Sequence, residues 1–468
     1  MKQLIRTLAL IGVALWMPIN ASALESAVHG YLESRGVFRD TSGFQYGFMD
    51  DMYGVQWIQE LQLDVELKPT YQSLKPPVRL EKTFFRYRGA YDAIYDLTDR
   101  YDNIQEDSIG KFKPGSRDLQ WDQDLREAFA DIVMENPGGF RSNFRLGKQI
   151  VQWGEADVFN LINIVNPNDL YNKAFFSPPE QLLAPLWMGR YDITVPLSGL
   201  LTDINLQLLA IPDIRPHVFA PPGAPYAAIP APYVHDTEAS TFENSELGAR
   251  FGWTTVSGSY YLYYFDGYQA APAVDVSTLV DGYLTLRHPS QETMGYSFAR
   301  FIDTGNFVFR GEGSMTTDKT LGDGTDPAGR GYSEHDFYQV LFGLDKTLPG
   351  EWVGTASGLT TAVQVYYAKI ADWDHNPAVG RTAPEEDWRG TLLLTTDYMN
   401  GRITPTISLM YDSEEAWLTY FQLKWSPHGT WYTAMDLAAL WGDAEGYGDY
   451  NPYIDTQSEV QLKFGYQW

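Results

Sequence analysis

The stretch from Phe140 to Asp169, FRSNFRLGKQIVQWGEADVFNLINIVNPND, constrains the fold more than any other. Phe144, Leu146 and Ile150 fall on even positions, and Arg141, Asn143, Arg145 and Gln149 on odd ones. That is the period of a strand with one apolar and one polar face. An apolar face with no second layer packed behind it is satisfied by lipid, while the polar face looks onto water inside a closed barrel. The strand is expected to leave the membrane at Trp153, at the rim, and beyond Trp153-Gly154-Glu155 the chain enters a long segment of Asn, Pro and aliphatic residues, which reads as an ordered loop. The stretch predicts barrel wall followed by pore loop.

The same alternation recurs at the C-terminus. Val460, Leu462, Phe464, Tyr466 and Trp468 interleave with Glu459, Gln461, Lys463, Gly465 and Gln467. An aromatic carboxy-terminal strand of this kind resembles the assembly signal of outer-membrane barrels, with Trp468 where Phe is usual, so Phe464, Tyr466 and Trp468 are the candidate signal. Upstream, Trp431 and Trp441 bound one strand and Trp417 and Trp425 its neighbour, a matched aromatic belt at roughly the span of a bilayer-crossing strand.

Turn residues then order the hairpins. Short connections are expected at Glu135 to Gly139, Ser198 to Asp203, Val256 to Ser259, Asp303 to Asn306, Leu348 to Glu351, Asn400-Gly401 and Ser426 to Gly429. Longer segments alternate with them, except for the tight Asp412 to Glu415. Walking this alternation to Trp468 predicts an all-β fold, a transmembrane antiparallel barrel of about 18 strands, with 16 the alternative, and with extracellular loops folded inward. The even count requires Leu284 to Phe301 to be one strand despite Pro289, which needs a bulge.

Bulk properties agree with one large barrel. Lys2, Arg6, the apolar run Leu8 to Trp16 and Ala21-Ser22-Ala23 read as a signal peptide over residues 1–23, leaving 24–468 as a single outer-membrane domain. No run of about twenty apolar residues follows, and mean hydropathy is -0.30. There is no cysteine, so neither disulfides nor thiolate metal sites hold the fold. A net charge of -26 argues against nucleic acid as a partner. The 31 Tyr and 14 Trp fit interfacial girdles.

Leu146-Gly147-Lys148-Gln149, Trp153-Gly154-Glu155 and Asn163 to Asp169, together with Leu125 to Val133 and Phe309-Arg310-Gly311-Glu312, are similar to a Gram-negative outer-membrane β-barrel family catalogued as domain of unknown function 1302. Lys148 stands where Arg is expected. The resemblance covers most of the chain beyond the leader and implies a porin-like channel in the cell outer membrane, with no substrate named.

Candidate pore-lining residues follow from alternation. Glu127 and Asp131 share the inward face of one strand, Arg141, Arg145 and Gln149 that of the next, and Arg310 and Glu312 that of a later one. Facing rows of opposite charge either orient a solute at a constriction or stiffen the wall as ion pairs. Candidate gate residues are Trp153, Gly154, Glu155, Phe159, Asn166 and Asp169, in a loop that also carries Leu161, Ile162, Ile164, Val165, Phe175 and Phe176. An apolar loop folds inward rather than waving in water. A second apolar loop, Val218 to Val234, either joins it as a lid over the mouth or packs on it and on the rim.

The seven histidines lack the spacing of a metal site or hydrolase motif, so no catalytic residue, metal or cofactor is expected. The expected function is a channel for a small or moderately apolar solute. The alternatives are a barrel sheath or scaffold for a periplasmic electron carrier or efflux component and, further off, an outer-membrane hydrolase. Expected partners are outer-membrane lipid and lipopolysaccharide, the barrel assembly machinery and the solute.

Overall fold

The structure, a computed structural model, describes residues 24–40, 52–69, 78–99, 119–135, 140–157, 159, 161–171, 177, 179–222, 224–227, 229, 231–323, 326, 329–373, 384–413, 415–442 and 458–468. The leader expected at 1–23 and the tip of the turn at 136–139 lie outside them, as do Phe175 and Phe176.

In chain order the strands are β1 (Leu24–Asp40), β2 (Met52–Pro69), β3 (Val78–Asp92), β4 (Trp121–Glu135), β5 (Arg141–Gln149), β6 (Leu186–Pro196), β7 (Leu201–Ile211), β8 (Tyr233–Asp236), β9 (Glu246–Thr255), β10 (Gly258–Tyr268) and β11 (Ala273–Asp275). There follow β12 (Leu284–Arg287), β13 (Ser290–Ile302), β14 (Phe307–Gly322), β15 (Tyr332–Leu348), β16 (Leu359–Ile370), β17 (Glu386–Thr395), β18 (Ile403–Asp412), β19 (Ala416–Trp425), β20 (Trp431–Gly442) and β21 (Glu459–Gln467). Strands β8, β11 and β12 form a separate three-stranded sheet in the loops, and the other eighteen form one sheet.

That sheet is closed. Strand β1 pairs antiparallel with β2 on one side and with β21 on the other. At the seam the Trp468 N–H donates to the Gly30 carbonyl at 3.1 Å, and the Gly30 N–H returns the bond at 3.2 Å. Closure leaves no open edge, which is what lets strands cross a bilayer. Among the described residues no helix is long and apolar enough to do so.

Two details differ from the sequence reading. Leu284 to Phe301 is not one bulged strand: Leu284–Arg287 pairs with β8 and β11, and only Ser290–Ile302 joins the wall. Pro289, which lacks a donor, separates them, and the even count survives because the first piece leaves the barrel. The connection after Leu348 extends to Leu359, longer than the expected turn, and contains a short 3-10 helix at Gly350–Trp352.

Outside, the wall is apolar, with Leu32, Phe144, Leu146, Leu344, Val363, Leu462 and Phe464 exposed. Trp425, Trp431 and Trp441 are exposed at the strand ends, and Trp441 stacks on Trp417 at 5.3 Å. Inside, charges are paired and buried: Arg88 with Glu60 at 2.6 Å, Arg39 with Glu459 at 2.8 Å and Lys463 with Asp436 at 2.5 Å. An apolar exterior girdled by Trp around a polar interior is the architecture of an outer-membrane barrel, and the protein is an outer-membrane protein.

Candidate functional site

The wall is interrupted after β5. Asn166 takes the Gln149 carbonyl and the Val151 N–H out of the strand ladder: its Nδ2 donates to Gln149 O at 3.3 Å and to Ala184 O at 2.9 Å, and its Oδ1 accepts from Val151 N at 2.8 Å. The chain therefore turns inward at Gln149. Trp153, expected at the membrane rim, instead lies inside the lumen, 3 % exposed. Its Nε1 donates to Gln207 Oε1 at 2.7 Å, and its ring packs on Tyr263 at 5.4 Å.

From there the loop crosses to the far wall. Glu312 on β14 receives it with a carboxylate that accepts the N–H of Glu155 at 2.6 Å, Ala156 at 3.2 Å and Ile162 at 2.9 Å. Gly154 makes this approach possible, because its φ is 87° and a Cβ there would stand 2.4 Å from Glu312 Oε2. Arg310, one inward position away, donates to Glu155 O at 2.6 Å and pairs with Asp157 at 2.6 Å and with Asp345 on β15. Gln364 on β16 donates to Asp157 at 3.0 Å. Arg310 and Glu312 thus do not pair with each other, as their spacing suggested; each holds the loop.

Apolar packing completes the anchoring of the loop. Trp153, Phe159, Leu161, Ile162 and Val165 join one buried cluster with Leu209 and Ile211 of β7, Phe265 of β10, Leu341 of β15, Tyr366 of β16 and Met410 of β18. Phe159 stacks on Tyr366 at 4.8 Å. Ile162 seats against Gly295 of β13, where a Cβ would collide with its Cδ1 at 2.0 Å. Each such side chain contributes roughly 1.5–3 kcal/mol when fully buried, before the entropy of ordering the loop is subtracted.

The second loop packs on the first and on the rim. Leu170 N–H donates to Val218 O at 2.8 Å, and Val218 N–H to Asn168 O at 2.9 Å. Asp169 is buried beside Arg126 at 3.6 Å. Further along, Arg39 of β1 donates to Pro225 O at 2.8 Å and lies over the Tyr226 ring at 4.7 Å. His217, His235 and His288 join these loops to β12: His217 Nδ1 accepts from Asn168 N at 2.9 Å, and His235 Nδ1 meets His288 Nε2 at 2.9 Å. Burial depresses His217 to about 4 and His235 to about 3, with the neighbouring His288 adding to both.

The candidate charge rows sit on the short-turn side of this loop. Asp131 faces Arg145 in register and pairs with it at 2.7 Å. Arg141 pairs instead with Glu81, and Glu127 with Arg86 of β3 at 3.0 Å, while Glu127 also accepts the Ile150 N–H at 3.4 Å. Gln149 is buried and donates to Met188 O at 3.3 Å. A cavity of about 600 Å³ opens here, lined by Asp131, Arg141, Arg145, Arg190, Asp192 and Arg250 among others. Sequence reasoning missed Arg250, Gln207, Asp157 and Gln364; inward alternation on their strands was a signal for three of them, and nothing local marked Asp157.

The family model described as protein of unknown function (DUF1302) matches residues 59–468. No curated protein matches the sequence. Among solved structures, the chain is similar to the outer membrane protein opdK from Pseudomonas aeruginosa, at 10% identity and a TM-score of 0.51, and to Acinetobacter baumannii OccAB2, at 10% identity and a TM-score of 0.50. Each alignment covers 95% of this chain and 98% of the other, and the likeness is one of fold. With the match spanning nearly all of the barrel, the chain belongs to the DUF1302 family of proteins.

Proposed function

We propose that the protein is a porin-like channel that passes a small solute across the outer membrane, with the β5–β6 loop as its constriction. The observation that supports this best is the anchoring of that loop on the opposite wall by Arg310 and Glu312. A loop held across a lumen by a few polar bonds narrows a path without closing the wall around it. The moderately apolar solute expected from the loop composition has less support, because Trp153, Leu161 and Ile162 are buried in packing. The cavity beneath them is lined by charged and polar side chains, which favours a polar solute.

The test is single-channel recording in planar bilayers with the purified protein and with a variant in which residues 158–165 are replaced by a short Gly/Ser linker. Steady conductance that rises in the variant, with a folded barrel in both, supports a channel gated by this loop. Silence from both folded proteins favours the alternative, a barrel sheath around a partner.

A further inference from the structure

The cavity beneath the β5–β6 loop inverts the charge balance of the chain that builds it. The sequence carries 34 basic against 60 acidic residues, whereas the cavity wall carries six basic against four acidic side chains. Each of those four carboxylates is already engaged by another cation of the wall, as Asp131 is by Arg145 and Asp192 by Arg190. Arg250 of β9 is the cation of this cavity left without an ion pair or a hydrogen bond among the described residues. Its guanidinium lies 5.1 Å over the Tyr261 ring, and its Nε is buried with no partner. The ring steadies the cation, and the two terminal nitrogens remain for a ligand.

Sheet register places two more donors beside it. Asn205 of β7, Gly252 of β9 and Tyr261 of β10 form one inward row, and Gln207, Arg250 and Tyr263 form the next. Gly252 has no side chain to part its neighbours: a Cβ there would stand 2.5 Å from both Asn205 Oδ1 and Tyr261 Cδ1. The Asn205 amide and the Tyr261 side chain therefore converge, and neither the amide nor the hydroxyl has a hydrogen-bond partner among the described residues. The second row also holds the loop, because Gln207 accepts from Trp153 Nε1 at 2.7 Å and the Tyr263 hydroxyl accepts the Gly154 N–H at 3.4 Å. From the loop itself, the Glu155 carboxylate lies within electrostatic reach of Arg250 and forms no ion pair with it.

We propose that Arg250, Asn205 and Tyr261 form a binding site for a small organic carboxylate, directly beneath the loop. The two terminal nitrogens of a guanidinium match the two oxygens of a carboxylate in one planar fork. The Asn205 amide and the Tyr261 hydroxyl supply further donors at the same point. Excess positive charge in a recess with low-dielectric walls draws an anion in, and Glu155 opposes it, so the anion is held and released rather than trapped. The site names the solute class of the channel proposed above and rests on that reading for its purpose, whereas the binding itself needs no conduction.

The test is equilibrium binding of 4,4,4-trifluorobutyrate to the purified barrel in detergent, followed by fluorine NMR, with its uncharged amide and inorganic phosphate for comparison. The parent should bind the carboxylate about tenfold more tightly than the amide, and Arg250→Gln should lose that difference. Arg250→Lys, which keeps the charge without the fork, should fall between the two. Asn205→Ala removes an amide that no described residue uses, so it leaves the fold intact and should weaken binding about threefold, which carries the test if Arg250→Gln does not fold. Arg300→Gln, on β13 outside the cavity, should change nothing. Equal affinity for carboxylate and amide overturns the proposal, as does a heat-modifiable Arg250→Gln barrel that binds like the parent. Displacement by phosphate at the concentration at which the carboxylate itself binds makes this a general anion site and overturns the assignment to carboxylates. A barrel that passes this test and stays silent in planar bilayers loses the channel reading and keeps the site.

Discussion

The Glu312 carboxylate accepts the backbone N–H of Ile162 at 2.9 Å although the two residues stand 150 positions apart in the chain. One carboxylate therefore holds both the start and the middle of the β5–β6 loop, since it also accepts from Glu155 and Ala156. Hydrogen bonds to a charged acceptor contribute roughly 1.5–3 kcal/mol each.

Removing that acceptor should free the loop without opening the wall. Glu312→Ala is expected to raise single-channel conductance while the barrel stays heat-modifiable. Gly154→Ala should act in the same direction, because it forces a side chain into a positive φ at a cost of about 1–2 kcal/mol and drives a methyl into the same carboxylate. Since both act on one contact, the double variant should fall well short of the sum. Additive effects would mean that the two positions restrain different parts of the loop.

The charged cavity should set ion preference. Replacing Arg141 and Arg145 by Ala removes the counter-charges of Glu81 and Asp131, so the reversal potential in a salt gradient should move toward cation selectivity. An unchanged potential would place these pairs off the conducting path.

The loop hub should weaken on acidification. In an unfolded chain His217 and His235 take up protons near pH 6.5, whereas burial delays this to about pH 4 and about pH 3. The unfolded form therefore binds more protons throughout that interval, so stability present above pH 6.5 is lost as pH falls, by about 1.4 kcal/mol per unit for each ring. The groups facing the rings are His288, Asp236 and Tyr233, and Asp236 partly offsets the effect at His288. Limited proteolysis in the Pro216 to Glu243 segment should be faster at pH 5 than at pH 7. Equal rates would show that the hub does not govern loop opening.

Closure should depend on the last residues. Deleting Tyr466, Gln467 and Trp468 removes the reciprocal Gly30–Trp468 bonds at the seam, together with most of the aromatic face proposed to direct assembly. Flotation with outer membranes and heat-modifiable migration should both be lost. A truncated protein that retains both would show that the signal lies upstream of Tyr466.

The legible part of this protein is the part whose physics is local. Period-two alternation, Trp at strand ends and turn residues are properties of neighbouring residues, and they were enough for an antiparallel barrel of 18 strands and for the inward faces of Glu127, Asp131, Arg141 and Arg145. The Asp131–Arg145 pair was readable because one short hairpin fixes its register. Arg141 with Glu81 and Glu127 with Arg86 were not, because those partners come from β3, across a long connection. Trp153 was misplaced at the rim for a related reason. Its alternation continues the strand, and only Asn166, from the returning arm of the loop, ends the ladder at Gln149. The sequence alone determined wall, belts and an apolar loop that had to fold inward. Which wall that loop reaches was decided by the tertiary structure alone, because closing the barrel is what brings Glu312, Arg310 and Gln364 within hydrogen-bond range of residues 154–162.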